Sequence, residues 1–191
     1  MLIYKAVKIV RATILPYDYY HSVVKIDTIR YFGYFRRMNI TIRKAEPKDV
    51  PAMLVLVKEL ATFERAPDAV WNTEDAMLRD GFGEQPFFQT FVAELPDTGE
   101  IVGLALYHWA YSSWKGKYLY LDDLYVKEKM RGKGTGKLLL DTFLAEAQAQ
   151  GANMVKWQVL HWNEPAVRMY EKAGVTFDNE WIDCKIFYPK S

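Results

Sequence analysis

The chain has 191 residues, 50 % hydrophobic and 26 % charged, with a net charge of +1. These values fit one globular domain with room for an appendage and exclude a disordered or fibrous chain. No run approaches the roughly 18 unbroken apolar residues of a membrane helix. The single cysteine, Cys184, excludes an internal disulfide framework, and His21, His108 and His161 lack ligand-like spacing, so no metal site is expected.

Residues 1–37 stand apart. They hold seven basic side chains (Lys5, Lys8, Arg11, Lys25, Arg30, Arg36, Arg37), two acids (Asp18, Asp27) and six of the thirteen tyrosines. Their early apolar residues are interrupted by cations, which makes a poor secretory signal. The basic residues are too dispersed for a nucleic-acid arm, so no nucleic-acid partner is expected. The reading is an upstream extension, with the domain at 38–191 starting at Met38. That body retains 18 basic and 22 acidic residues, a balance that weakly favours a cationic substrate.

Within 38–191, residues 39–43 alternate as a strand. Pro47 opens a helix with Val50, Met53, Leu54, Val57, Leu60 and Ala61 at helical spacing. Thr73 is positioned to cap a short helix ending near Gly81. Residues 87–95, 100–111 and 117–126 read as three strands, the first two joined by the turn Pro96-Asp97-Thr98-Gly99. A helix over 134–150 has Leu138, Leu139, Thr142, Phe143 and Ala147 on one face and Gly151 as its stop. A strand follows at 153–160. Asn163 caps a helix with Pro165 in its first turn and Gly174 beyond its end. The tail at 177–188 reads as a last strand, with Cys184 as a small apolar filler. The order βααβββαβαβ implies an α/β (α+β) domain, a mixed sheet with helices on its faces.

Between the strand at 117–126 and the helix at 134–150 lies Arg131-Gly132-Lys133-Gly134-Thr135-Gly136-Lys137. Alternate glycines let the backbone turn tightly and approach a ligand. The unpaired N–H groups and dipole of the following helix favour an anion there, and Arg131, Lys133 and Lys137 add charge. Phosphate or pyrophosphate is the chemistry requested. A Walker loop needs Gly at 131 and Ser or Thr at 138, where the chain has Arg131 and Leu138. A dinucleotide fingerprint needs Gly or Ala at 137, where it has Lys137. Arg-Gly-x-Gly-x-Gly after a late antiparallel strand suits the pyrophosphate of coenzyme A.

The segment from Val126 to Gly136 resembles the acetyl-CoA loop of GNAT N-acetyltransferases. Phe63-Glu64, Asp80-Gly-Phe-Gly-Glu84, Pro86-Phe87, Tyr120-Leu-Asp-Asp123, Trp162-Asn-Glu-Pro165 and Tyr170 resemble the diamine acetyltransferase branch, over essentially all of 39–188. The resemblance implies the GNAT fold, a mixed, mostly antiparallel sheet flanked by helices, with acetyl-CoA as co-substrate at the strand 4/helix 3 loop. It also implies a homodimer in the cytoplasm.

For the site, the resemblance makes Tyr170 the general acid for the departing thiolate. Phe63, Glu64 and Asp122 would bind the amine, and Asp122 could pass its proton to water. The branch's diamine enzymes typically have Glu at 122, so the shorter Asp122 leaves the acceptor's length open. Adjacent strand residues point to opposite faces, so Asp122 and Asp123 are not expected to share a ligand. Leu124, Tyr125 and Val126 would hydrogen-bond the pantetheine arm along an unpaired strand edge, and an N–H there could polarise the acyl carbonyl. Asn163, besides capping, would contact coenzyme A. Trp109, Trp114, Trp157, Trp162 and Trp181 are expected to serve packing rather than a cation–π surface. The expected activity is acetyl transfer from acetyl-CoA to a primary amine of a small diamine, polyamine or lysine-like molecule. Acetylation of a protein lysine or N-terminus, or a non-catalytic acyl-CoA sensor, are the alternatives.

Overall fold

The structure is a computed structural model that describes residues 40–188. The expected extension at 1–37 lies outside the described residues. The elements are β1 (Thr41–Lys44), α1 (Val50–Phe63), α2 (Glu74–Phe82), β2 (Gln89–Leu95), β3 (Glu100–Ser112), β4 (Gly116–Val126), α3 (Thr135–Ala149), β5 (Val155–Lys156) and α4 (Glu164–Lys172).

Five strands form one sheet in chain order, antiparallel from β1 to β4 with β5 parallel to β4. The β2–β3 and β3–β4 connections are short turns, which only antiparallel pairing permits, whereas α1 and α2 lie between β1 and β2, and α3 between the parallel β4 and β5. At the β2–β3 turn Gly99 takes φ +71° and its N–H donates to Leu95 O at 2.7 Å. Ser112 Oγ accepts from the N–H groups of Trp114 and Lys115 at the β3–β4 turn.

Alternation along the strands feeds two cores. Phe91, Ala93, Ala105, Tyr107, Leu119 and Leu121 pack against Leu139, Leu140, Phe143 and Ala147 of α3. Val92, Leu104, Leu106 and Tyr125 pack against Val50, Met53, Leu54 and Leu56 of α1 and Met77 of α2. Arg43 fastens β1 to the start of α1, donating to both Asp49 oxygens at 2.6 and 2.9 Å and to Glu94 at 2.5 Å. Gly103 permits close pairing of β3 with β4, since a methyl group there would lie 2.9 Å from Tyr125 O.

Three expectations for the C-terminal part are overturned. The strand over 153–160 is only Val155–Lys156, paired with Leu119 and Tyr120, after which β5 and β4 part. Leu121–Val126 therefore have one edge without a strand partner among the described residues. The tail at 177–188 forms no strand, and Trp181, Ile182, Ile186, Phe187 and Tyr188 are exposed. A two-residue β5 offers almost no ladder for another strand to extend. Cys184 accordingly is exposed rather than a filler.

A bulge sets the geometry of β4. Leu106 pairs with Asp123 but Tyr107 with Leu121, so Asp122 is the extra residue. Leu119 and Leu121 before it and Leu124 and Val126 after it all join the α3-side core, while Tyr125 joins the α1 side. The extra residue shifts the side-chain parity and puts Asp122 and Asp123 on the same, α1-facing side. The expectation that they face opposite ways fails for this reason.

Candidate active site

The glycine loop has features suited to an anion. Gly134 is the N-cap of α3 at φ +88°, and no side chain caps the helix, so its first N–H groups stay available. Gly132 sits at φ +72° with open space where a side chain would project. Thr135, fully buried, has its Oγ1 without a hydrogen-bond partner among the described residues. Buried hydroxyls are almost always paired, so this orphan at a helix N-terminus fits a phosphate oxygen. Neither Arg131 nor Lys133 forms a salt bridge with a described residue. Lys137 differs from the sequence expectation of a third cation for the ligand: Asp141, one turn on, holds its Nζ at 2.6 Å.

Arg131 folds back over the loop. Its Nε donates to Val126 O at 3.1 Å, and its guanidinium lies 4.6 Å from the Phe63 ring and 5.2 Å from that of Tyr125. Phe63 in turn packs 5.5 Å from Trp162, whose ring carries the Arg65 guanidinium at 4.6 Å. This ladder ties the end of α1, the glycine loop and the segment before α4 together. Phe63 is thus a spacer between two cations.

Leu124, Tyr125 and Val126 lie where β4 lacks its second partner. Gly136 lets α3 start close beside this edge, with Val126 Cγ2 and Met169 Sδ within 3.7 and 3.9 Å of the place its side chain would take. α4 begins at Asn163, whose side chain accepts from Ala166 N–H at 3.4 Å. Tyr170, in the last turn of α4, is buried in the α3-side core and packs 5.2 Å from Trp157. Burial alone pushes its phenol up to about 12.

Carboxylates gather on the other side of the same edge. Asp123 is pushed up to about 7, chiefly by burial, with the charges of Asp122 and Glu64 adding to it. Burial also raises Glu64, at the C-cap of α1, while Lys185 pulls it down. Asp122 is exposed. The sequence reading selected Glu64 and Asp122; the structure puts Asp123 deepest among the three. No pattern in the sequence announces the bulge that turns it inward. Trp157 and Trp162 pack as expected, whereas Trp114 and Trp181 are exposed.

Residues 55–175 match the Acetyltransferase (GNAT) family. Thialysine N-epsilon-acetyltransferase of Sus scrofa is 39 % identical over 142 residues, 71 % of this chain and 84 % of that protein. Spermidine/spermine N(1)-acetyltransferase-like protein 1 of Homo sapiens is 39 % identical over 138 residues, 70 % of this chain and 20 % of that protein. An aminoglycoside acetyltransferase from an uncultured soil metagenomic sample shares the fold with a TM-score of 0.65 at 17 % identity, covering 80 % of this chain and 99 % of its own. The matched span contains most of α1, the glycine loop, β4 and α4, and the chain belongs to the GNAT acetyltransferase family as an acetyl-CoA-dependent N-acetyltransferase.

Proposed function

We propose that the protein acetylates a primary amine of a small diamine, polyamine or lysine-like molecule by direct attack of that amine on the acetyl group of acetyl-CoA. The observation that carries this reading is the half-free edge of β4. Tyr170 stands on its α3 side, and Asp123, Asp122 and Glu64 gather on its α1 side. A cationic acceptor has carboxylates to bind it, and a buried phenol lies across the edge to protonate the leaving group.

Bound acetyl-CoA supplies the activated acyl group. Gly132–Gly136, Arg131 and Lys133 would hold its pyrophosphate, and the backbone of Leu124, Tyr125 and Val126 its extended arm, with Asn163 alongside. Asp123, half-ionised near neutral pH, is suited to take a proton from the acceptor ammonium directly or through water, Asp122 and Glu64 holding the cation. The neutral nitrogen then forms the amide bond as the carbon–sulfur bond breaks. The Tyr170 O–H delivers its proton to the sulfur, and the proton the nitrogen sheds on becoming an amide returns through water to the phenolate. A phenol near 12 is a weak acid against a thiol of about 8.5, so this transfer belongs in concert with bond cleavage, as charge builds on sulfur.

The exposed apolar tail supports a homodimer that covers it. The acetyl-CoA donor and a lone exposed Cys184 are consistent with the cytoplasm. Among the described residues no helix is long and apolar enough to cross a membrane. We place the working domain at 38–191 with residues 1–37 as an accessory extension.

The test is a thiol-release assay with acetyl-CoA against putrescine, spermidine, spermine, thialysine, lysine and a lysine peptide. Turnover of a free amine well above the peptide supports the reading. Turnover of the peptide alone would assign a protein-modifying role, and coenzyme A binding without turnover a sensor.

A further inference from the structure

α1 ends in a Schellman arrangement. The Ala66 N–H donates to Ala61 O at 2.8 Å and the Arg65 N–H to Thr62 O at 3.1 Å. The residue after the cap in this motif takes a left-handed backbone and is usually glycine. Here it is Arg65 at φ +64°, the one non-glycine residue at positive φ among those described. An L-residue with a side chain is strained there, whereas glycine would not be. Strain kept where a simpler residue would relieve it points to work done by the side chain.

The Arg65 side chain is held but not neutralised. Its guanidinium lies 4.6 Å from the Trp162 ring, which Phe63 supports at 5.5 Å. It forms no salt bridge with any described residue. A guanidinium held over an aromatic face spends none of its N–H donors on that contact, so the fork that matches a carboxylate is retained. Its chain neighbour is Glu64, one of the carboxylates grouped with Asp123. The end of α1 therefore offers a cation and an anion side by side. A diamine, carrying positive charge only, gains nothing from the cation and is repelled by it. An amino acid with a side-chain amine carries both complementary charges.

We propose that Arg65 seats the α-carboxylate of the acceptor and so selects amino acids with a side-chain amine over diamines. The inference rests on the amine-acetylating reading of this site. The donor's phosphates share oxyanion chemistry with a carboxylate, and the test separates them.

The experiment compares the full chain with Arg65→Gly on two matched pairs, lysine against cadaverine and ornithine against putrescine, each differing only in the α-carboxylate. The expected wild-type preference is for the amino acid. In Arg65→Gly the ratio of kcat/KM for amino acid to diamine falls roughly tenfold or more, the size of a lost charge-assisted contact. The KM for acetyl-CoA stays within about twofold, and thermal stability is equal or higher because the strain is gone. An unchanged ratio overturns the proposal, and a rise confined to the KM for acetyl-CoA overturns it by assigning Arg65 to the donor. Turnover of neither class by the wild type sinks the underlying reading itself. A substantial fall in melting temperature with Arg65→Gly would show Arg65 to be structural, also overturning it.

Discussion

The Arg131 side chain closes on Val126: its Nε donates to the Val126 carbonyl at 3.1 Å. That carbonyl ends the half-free edge of β4, and Arg131 opens the glycine loop, so one side chain couples the two parts of the proposed donor site. The guanidinium also fills the space between Phe63 and Tyr125.

Arg131→Ala should therefore act on binding more than on chemistry. The KM for acetyl-CoA is expected to rise roughly tenfold, as one charged contact is lost, with kcat changed less. Arg131→Lys keeps the charge but not the planar fork, and should recover only part of the loss. Steady-state kinetics with acetyl-CoA varied check both. Equal KM values in wild type and Arg131→Ala would remove Arg131 from the donor site.

Thr135 offers a cleaner separation of stability from binding. Its Oγ1 is buried and unpartnered, which costs roughly 1–3 kcal/mol in the ligand-free protein. Thr135→Val keeps the shape and removes the hydroxyl. The ligand-free melting temperature should rise by a few degrees, about 2–4 °C per kcal/mol for a domain of this size. Coenzyme A should then raise it less than in the wild type, because the hydroxyl no longer meets the phosphate. A variant that melts lower, with the same shift on coenzyme A, would contradict the cradle.

Asp123 predicts opposite effects on stability and activity. Its carboxyl sits near 7 in the fold, against about 3.9 in an unfolded chain. The folded state holds the proton more tightly, so the penalty for ionising Asp123 grows as pH rises from about 4 to 7 and is complete above that. Asp123→Asn should be more stable than wild type at pH 8, by on the order of 4 kcal/mol at most, and nearly equal to it at pH 4. The wild-type kcat/KM should rise through an ionisation near 7, a limb that Asp123→Asn loses with most of its activity. Melting curves and pH–rate profiles on the two proteins decide it. A wild-type limb retained in Asp123→Asn would assign the proton transfer to another group.

Much of this was legible in the residues, and the exceptions have physical causes. The capping positions of Thr73 and Asn163 and the loop at 131–137 are local, set by side chains within a few residues of the backbone they serve. Asp123 was missed because its inward turn depends on the β3–β4 register, a pairing between residues distant in sequence that no single-strand pattern records. Arg65 was missed because a left-handed cap is normally read from glycine, and arginine hides it. The strand expected at 177–188 failed for the converse reason. Its alternation is local, but a strand exists only where a neighbour offers a ladder, and β5 stops after Lys156.

Tyr170 carries the last prediction. Burial holds its phenol near 12, so it is protonated at every pH where the enzyme would work. The folded value lies above the unfolded one of about 10, so the stability this burial contributes is intact below pH 10 and fades as pH climbs towards 12. Tyr170→Phe retains the ring against Trp157 and removes only the proton. Its melting temperature near neutral pH should lie close to wild type, and it should lack the additional destabilisation between pH 10 and 12. The KM values should hold while kcat falls roughly 10²–10⁴-fold, the usual contribution of a positioned acid. The rate of that residual reaction should depend on the leaving thiol: acetyl donors with more acidic thiols need less protonation and should narrow the gap between variant and wild type. If donors of different thiol acidity show the same gap, or kcat is unchanged, Tyr170 does not supply the proton. Water along the free edge of β4 would then be the remaining source.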